Sequence, residues 1–384
     1  MKRTMKMFAF AAVVAVFVGG CASTGDKGAQ CAQTQQGLAP LKVGVYADRG
    51  PSGIGAVEWF RLVEESPDME LKLLDGKAVR AGGLDGLDLL VMPGGSSKVE
   101  FDTLGTNGVE KMKAFVRNGG GYIGTCAGCC LLLDGPEKRA RMMPWNTCGS
   151  ESGTLFLNFT VNAKGASALG IKEGNHVMRY HGGPCLWPTT NVIADAKMEA
   201  WGTFDSQVSL KGKTGKNMHG AVGLVGGTYG KGKVFVTSAH PEYFNSTLYI
   251  VKGAFKYVTG RDVTFPARTR RPHALSVGFL AKGIGGVKTA ETAVALARAK
   301  DLDLVLIDLD GIARRRMDNI DVLVVPSAAY KKDKKISEAI SAFTARGGKV
   351  LYCNLGVKDA PAGAPVSTSG DAVAEAVRKL FPTH

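Results

Sequence analysis

One cysteine of this 384-residue sequence has the surroundings of a catalytic nucleophile. Cys126 lies in the run Gly124-Thr125-Cys126-Ala127-Gly128, directly after one short apolar segment and before another. Glycines at this spacing permit a sharp strand-to-helix turn that holds the side chain above the carboxyl end of the strand. The N-terminus of the following helix favours a thiolate. The pattern predicts a nucleophile at Cys126, whereas Cys129 and Cys130 are expected to be buried packing residues.

A base, and an acid that orients it, are predicted downstream in His240-Pro241-Glu242. The apolar segment 234–238 before them is typical of a strand, so the histidine is expected at the strand end where parallel sheets bind ligands. The proline restricts the backbone between the two polar residues, which holds the carboxylate near the imidazole. A carboxylate on one ring nitrogen turns the other towards the thiol. We therefore predict a catalytic triad of Cys126, His240 and Glu242.

Backbone amides in glycine-rich turns are predicted to complete the site. Gly94 and Gly95 follow an apolar strand, and with the amide of Ala127 they are expected to bind the oxyanion of a tetrahedral intermediate. A second turn is expected to line the same mouth, and its residues are His181, Gly182 and Gly183. The first of these is a ligand contact, an alternative base or an ordinary loop histidine. The cysteine spacing fits no zinc motif, so no metal and no cofactor is predicted.

Alternating strands and helices must position these residues. Short apolar segments at 41–46, 71–74, 87–92 and 122–125 are typical of buried strands. Apolar residues at helical spacing predict helices at 56–65 and 109–118. This alternation predicts an α/β fold in which helices cover both faces of a parallel sheet. The insert 145–227 is longer than such a core requires, and three of its aromatic residues either shape a pocket or pack an added sheet: Trp187, Trp201 and Tyr229.

The sequence after residue 274 repeats the plan of the first half. Segments 275–279, 304–308, 321–326 and 343–348 resemble, in the same order, segments 41–45, 71–75, 88–93 and 115–120. Ordered matches of this kind indicate an internal duplication. Asn354 takes the place of Cys126, so the second copy is predicted to be shortened, degenerate and non-catalytic. The predicted domains are 41–265 and 274–384, joined by a Pro/Arg-rich linker at 266–273.

The first residues have the order of an export signal. A basic start is followed by an apolar run too short for a membrane span and then by Val18-Gly19-Gly20-Cys21. This ending resembles a lipobox, which implies a signal peptide over residues 1–20 and acylation of Cys21; an ordinary secretory signal is the alternative. Residues 21–40 are mostly small and polar, as in a flexible tether. We expect membrane lipid as a partner and attachment to the bacterial outer membrane, facing the periplasm.

The formal net charge is +14, but the basic residues are scattered along the chain. They are not interleaved with aromatic residues as in nucleic-acid modules, so a nucleic-acid partner is not expected. The charge fits association with anionic lipid or cell-wall polymer, or a plain solvated surface. In an oxidising compartment a disulfide is expected within one group of cysteines, namely Cys129, Cys130, Cys148 and Cys185.

Several of these motifs together resemble the biotin-protein ligase N-terminal domain family, within the class I glutamine amidotransferase-like superfamily that also includes the DJ-1/PfpI proteins. The resemblance spans residues 41–262 and rests on segments 92–95, 115–128, 180–184 and 240–242. It implies a flavodoxin-like fold and matches Cys126, His240 and Glu242 to the superfamily's cysteine, histidine and glutamate. The sequence has no ligase catalytic domain and no Gly-Arg-Gly-Arg-type motif, so biotinylation is not implied.

Three functions are compatible with the sequence. The first is a cysteine hydrolase or acyl-transferase acting on an amide or ester of a small molecule or peptide at the cell envelope. The second is a lipoprotein that keeps the fold for binding or as a scaffold. The third is a thiol redox or stress function, in which Cys126 and Cys129 form a reactive pair. No synthetase partner domain follows, which argues against true glutamine amidotransferase activity.

Overall fold

The computed structural model describes residues 37–135, 138–151, 153–208, 217–308, 316–327, 334–353, 365–367 and 370–382. The predicted signal peptide, the lipidation site Cys21 and most of the tether lie outside these residues. The elements of the first half are, in order, β1 (Leu41–Tyr46), α1 (Gly53–Glu65), β2 (Met69–Leu74), α2 (Gly76–Arg80), β3 (Leu89–Met92), α3 (Ser97–Arg117), β4 (Gly121–Thr125), α4 (Ala127–Leu131), β5 (Trp145–Gly149), β6 (Thr154–Val161), α5 (Ala163–Leu169), β7 (Gly174–His181), β8 (Cys185–Pro188), β9 (Ala196–Phe204), β10 (Val222–Tyr229), β11 (Gly232–Thr237) and α6 (Leu248–Thr259). Those of the second half are β12 (Leu275–Leu280), α7 (Val287–Arg298), β13 (Leu302–Ile307), β14 (Val322–Pro326), α8 (Lys334–Ala345), β15 (Lys349–Cys353), β16 (Val366–Ser367) and α9 (Asp371–Lys379). Short 3-10 helices lie at Pro241–Tyr243, Asn245–Thr247 and Arg316–Asn319.

The predicted parallel sheet is confirmed, and its strand order is flavodoxin-like. Strands β2, β1, β3, β4 and β11 lie side by side in that order, and each pairing between them is parallel. In this order β1 lies between β2 and β3, so the chain reverses its direction of travel across the sheet next to β1. Because β4 and β11 are adjacent and parallel, the segments that follow them, at Cys126 and at His240, leave the sheet side by side.

Helices cover both faces of this sheet, as predicted. Val45 and Tyr46 are successive residues of β1 and belong to different buried clusters. The cluster that contains Val45 includes the apolar side chains of α1 and α6. The cluster that contains Tyr46 includes those of α3 and α4. Since neighbouring residues of a strand point to opposite faces, the two clusters are the two layers of a doubly covered sheet.

The long insert extends the sheet with antiparallel strands. Beyond β11 the order continues through β10, β9, β6 and β7, while β8 pairs with both β5 and β10. Trp201 and Tyr229 are buried, and the Trp201 ring meets Tyr257 of α6 edge-on at 4.7 Å between ring centroids. Trp187, by contrast, is 44% exposed. Trp201 therefore packs the added sheet, which is one of the two predicted alternatives for these aromatic residues.

The second half repeats the fold with a smaller sheet. Its strand order is β13-β12-β14-β15-β16, which is the same order as in the first half. The register aligns the copies: Met92 pairs with Gly124 as Val325 pairs with Tyr352. Cys353 therefore corresponds to Thr125, one residue before the nucleophile position. Asn354, predicted to occupy that position, lies outside the described residues.

The two halves share one continuous buried layer. Helix α1 of the first half packs against α7 of the second, and their apolar side chains belong to the same cluster. Ion pairs flank this contact, including one of 2.6 Å between Arg298 Nε and Glu64 Oε1. The predicted domain boundary at 266–273 stays a prediction, since residues 40–384 form one compact unit by their contacts.

Two expectations about local structure need correction. Helix α3 begins at Ser97 rather than at 109, because Ser96 caps it and only Gly105, at φ 63°, interrupts its backbone. Its first turns are mostly polar and give no apolar stripe in the sequence.

The expected disulfide does not involve Cys129 or Cys130, which are free thiols. Cys185 is buried, and the side chain of Cys148 lies outside the described residues. Among the helices in the described ranges, none is long and apolar enough to span a membrane.

Candidate active site

Cys126 occupies a strained turn between β4 and α4. Its backbone has φ 51° and ψ −102°, a region that residues with a Cβ rarely adopt. The Cys126 amide donates a 2.8 Å hydrogen bond to the carbonyl of Thr237, at the end of β11, which fixes the turn to the neighbouring strand. Gly128 makes the turn possible, because a Cβ there would lie 2.1 Å from the Met92 carbonyl oxygen. The side chain is 7% exposed.

His240 and Glu242 form a buried hydrogen-bonded pair beside this turn. The 3-10 helix Pro241–Tyr243 places Nδ1 of His240 2.8 Å from Oε1 of Glu242. Glu242 is fully buried and His240 is 5% exposed. Burial lowers the pKa of His240, but the Glu242 carboxylate and the neighbouring Cys126 outweigh it and raise that pKa from 6.5 to about 9.

The side chains of Cys126 and His240 meet at Gly94. A Cβ on Gly94 would lie 2.6 Å from His240 Cε1 and 3.1 Å from Cys126 Cβ. Both side chains thus pack against the bare backbone at this residue. Because Nδ1 of His240 is taken by Glu242, its Nε2 is the nitrogen that remains for proton transfer at the site.

The predicted oxyanion donors lie around the same turn. Gly95 has φ +154°, and a Cβ there would lie 2.0 Å from the Gly50 carbonyl oxygen. The loop is held by two backbone hydrogen bonds, from Ser52 to the Gly94 carbonyl at 2.9 Å and from Ser96 to the Gly50 carbonyl at 3.0 Å. Ala127 is the first residue of α4, and first-turn amides have no acceptor within their own helix. The Ala127 amide can therefore be offered to a ligand, whereas the oxyanion role of Gly94 and Gly95 stays a prediction.

The turn after β7 contributes backbone rather than an imidazole. The His181 carbonyl lies 3.5 Å from Cys126 Sγ, whereas Nδ1 of its ring lies 3.0 Å from the Thr154 hydroxyl. Gly182 has φ +69° and makes the turn. Gly183 lies against the chain beyond β11, since a Cβ there would be 1.9 Å from the Ser238 carbonyl oxygen. The turn thus brings the His181 carbonyl, and not its imidazole, to Cys126.

Glu100 is a site residue that sequence reasoning missed. It lies in the first turn of α3, is fully buried, and neither carboxylate oxygen has a hydrogen-bond partner in the described part of the chain. Burial, and then the neighbouring Cys126, raise the pKa of this carboxyl well above 4.5, and Arg139 opposes them only in part. An acidic residue in the first turn of a helix ordinarily serves the helix dipole, so no sequence pattern marks Glu100 as part of the site.

An aromatic and cationic rim borders the site. The Arg179 guanidinium lies 3.8 Å from the centre of the Tyr243 ring, and the Arg179 carbonyl accepts a 2.8 Å hydrogen bond from the His240 amide. Next to them, Phe156 and Phe244 lie 5.8 Å apart between ring centroids and are 63% and 39% exposed. Exposed aromatic pairs at the edge of a site are suited to binding apolar ligand groups. Among the described residues no cluster of three metal-ligating side chains occurs.

Comparison with known proteins supports the resemblance over part of the chain. The family model described as "Biotin-protein ligase, N terminal" matches residues 85–131, which include the Gly94-Gly95 turn and Cys126. A search of curated proteins gives no match. A ThuA-like protein from Bacteroides uniformis is 11% identical with a TM-score of 0.45, over 63% of this chain and 97% of that one. PurLQS from Thermotoga maritima is 13% identical with a TM-score of 0.41, over 57% of this chain and 99% of that one.

Proposed function

We propose that this chain is a cysteine hydrolase or acyl-transferase that acts on an amide or ester through Cys126, His240 and Glu242. One observation carries the proposal: a cysteine held at positive φ shares its contact point, Gly94, with a histidine that is paired to a buried carboxylate. Structural cysteines need neither the strained turn nor the charged partner. This arrangement supplies a nucleophile, a proton carrier and an orienting group.

The chemistry follows in two balanced steps. The thiolate of Cys126 attacks the carbonyl carbon, and the Gly95 and Ala127 amides stabilise the oxyanion. The C–N or C–O bond then breaks as the His240 imidazolium gives its proton to the leaving amine or alcohol, which leaves an acyl-thioester on Cys126. Neutral His240 next takes a proton from water, or from an acceptor alcohol or amine, that attacks the thioester. The acid, or the transferred acyl product, then leaves, the Cys126 sulfur is released, and His240 retains the proton taken from the attacking group.

A redox pair between Cys126 and Cys129 is the weaker alternative. Cys129 is fully buried, and burial, followed by its two neighbouring cysteines, raises the pKa of its thiol well above 9. A resolving thiol must reach its partner as a thiolate, and this one is held neutral. The bacterial envelope as the place of action, through acylated Cys21, is a further part of our proposal and rests on the N-terminal sequence alone.

Acylation by an activated ester tests the proposed function. We expect intact-protein mass spectrometry with a p-nitrophenyl ester to show one acyl group on Cys126, followed by its release. His240→Ala should slow acylation roughly 100-fold or more, in line with general acid–base catalysis. With an amide substrate, whose amine leaving group needs a proton, the acylation rate should fall as pH rises through about 9, the pKa of His240, because the imidazolium is lost.

The half-buried thiol of Cys130 provides the control for non-specific acylation. Cys130→Ser should retain the wild-type rate, because Cys130 lies one helical turn beyond the nucleophile and is not placed in the triad. Acylation of wild-type protein at the rate of His240→Ala would refute the proposed triad.

A further inference from the structure

We propose that Arg268, in the segment that joins the two halves, is a positioning residue for the His240–Glu242 pair, and this inference rests on the proposed function. Arg268 lies 28 positions after His240 in the sequence. Its effect on the site passes through helix α1 and through the 3-10 helix Pro241–Tyr243.

Helix α1 packs directly against the triad pair. A Cβ on Gly55, in its first turn, would lie 2.6 Å from Glu242 Oε1 and 3.0 Å from His240 Nδ1. Glu58 follows one turn later and is also buried. The position of α1 therefore determines where the carboxylate of Glu242 can lie.

Arg268 connects α1 to the 3-10 helix that carries Glu242. Its Nη2 lies 3.2 Å from Glu58 Oε2 in an ion pair without hydrogen-bond geometry, and its Nη1 donates a 3.0 Å hydrogen bond to the carbonyl of Tyr243. The Arg268 side chain is only 9% exposed, and that of Glu58 is 7% exposed. A planar guanidinium can place one nitrogen beside a carboxylate while another donates to a carbonyl, which a single ammonium cannot do equally well.

The charge of Arg268 also balances buried carboxylates behind His240. Glu58 and Glu242 are both buried, and burial raises the pKa of Glu58 while Arg61 and Arg268 lower it. Removing one cation from such a cluster leaves an uncompensated buried charge. Oε2 of Glu242 has no hydrogen-bond partner in the described part of the chain, so its carboxylate depends on this surrounding charge and packing.

The second half of the chain fixes the segment in which Arg268 lies. Arg271 donates hydrogen bonds to the carbonyls of Ala299, directly after α7, at 2.6 Å, and of Leu302, the first residue of β13, at 2.9 Å. The same guanidinium lies 3.3 Å from Glu65 Oε1 at the end of α1. The second half of the chain thus holds the linker in place through Arg271, and the linker in turn holds the His240–Glu242 pair through Arg268.

Alkylation of Cys126 in a double-mutant cycle tests this coupling. In the full chain, Arg268→Gln should slow alkylation by iodoacetamide at pH 7 about tenfold, as part of the proton-transfer contribution of the histidine. In a His240→Ala background the same substitution should have no further effect, because Arg268 is proposed to act on Cys126 only through the imidazole of His240. A merely structural role would lower the rate equally in both backgrounds. Arg270→Gln, at an exposed position of the same linker, should leave the rate unchanged.

The outcomes separate this inference from the proposed function. Wild-type reactivity of His240→Ala would remove both. Slow alkylation of His240→Ala together with wild-type reactivity of Arg268→Gln would remove only the role of Arg268. If Arg268→Gln does not fold, Arg268→Lys keeps the charge but loses the two-point contact. We expect it to be about threefold slower than wild type, since a lysine cannot keep its charge beside Glu58 and also donate to the Tyr243 carbonyl; an unchanged rate would overturn the inference.

Discussion

Glu100 is buried beside Cys126 with two unpartnered oxygens, and an unpaired buried carboxyl costs free energy. Because its pKa in the folded chain is above the ordinary 4.5, the folded state holds a proton that the unfolded state releases. The stability of the protein should therefore fall as pH rises from about 4.5 towards the raised pKa of Glu100. At higher pH a charge there would also oppose a thiolate on Cys126.

Glu100→Gln should remove this pH-dependent loss. We expect the free energy of unfolding of this variant, relative to wild type, to rise by about 1 kcal/mol or more between pH 5 and pH 8, since one unit of pKa shift corresponds to about 1.4 kcal/mol. Urea unfolding at the two pH values measures the difference. Glu110→Gln, at an exposed position on the same helix, is the control and should show no such trend. Parallel pH profiles for Glu100→Gln and wild type would contradict the prediction.

At the scale of elements, helix α1 is a support for the triad as well as a cover for the sheet. Alanine normally stabilises a helix relative to glycine by about 0.4–1 kcal/mol. At Gly55 the close approach to Glu242 and His240 opposes that gain, because an added methyl group would occupy the space of the carboxylate. At Gly55, helix stability therefore favours alanine, whereas the geometry of the triad favours glycine.

Gly55→Ala should slow Cys126 alkylation about tenfold by displacing the histidine and its partner, a loss within the usual contribution of a general base. Gly108→Ala in α3 is the matched helical control, because its Cβ would meet mainly the Leu104 side chain, at 3.2 Å or more. We expect that control to react at the wild-type rate. Iodoacetamide kinetics on both variants, with thermal melts to confirm folding, provide the measurement. Equal rates for Gly55→Ala and wild type would count against the support role of α1.

The strands that carry the site were predictable, whereas the residues that reach it from elsewhere were not. Strands β1, β3 and β4 are buried on both faces, so they form continuous apolar runs that the sequence displays. His240 and Glu242 are two positions apart, and the proline between them makes their pairing a local property. Glu100 and Arg268 reach the site only through tertiary packing, which no local pattern encodes. The insert was predicted as an addition, but its antiparallel pairing was not.

At the scale of the whole molecule, the proposed anchor at Cys21 determines where the chain acts. The wild-type protein expressed in bacteria should incorporate labelled fatty acid and sediment with membranes, because a diacylated cysteine provides two acyl chains, enough for stable attachment. Cys21→Ala should lose both label and sedimentation. Cys31→Ala, ten positions later in the predicted tether, should retain both. Unlabelled wild-type protein in the soluble fraction would contradict the lipoprotein proposal.

The positive φ of Cys126 affects which residues can replace it during evolution. Glycine is the residue that this backbone favours, and a side chain held there costs roughly 1–3 kcal/mol. If the thiol had no task, Cys126→Gly would be a gain in stability that a single substitution could reach. Related chains that have lost the chemistry are therefore expected to carry glycine here, or asparagine as in the second half of this chain at Asn354, and a cysteine at this position would mark retained activity.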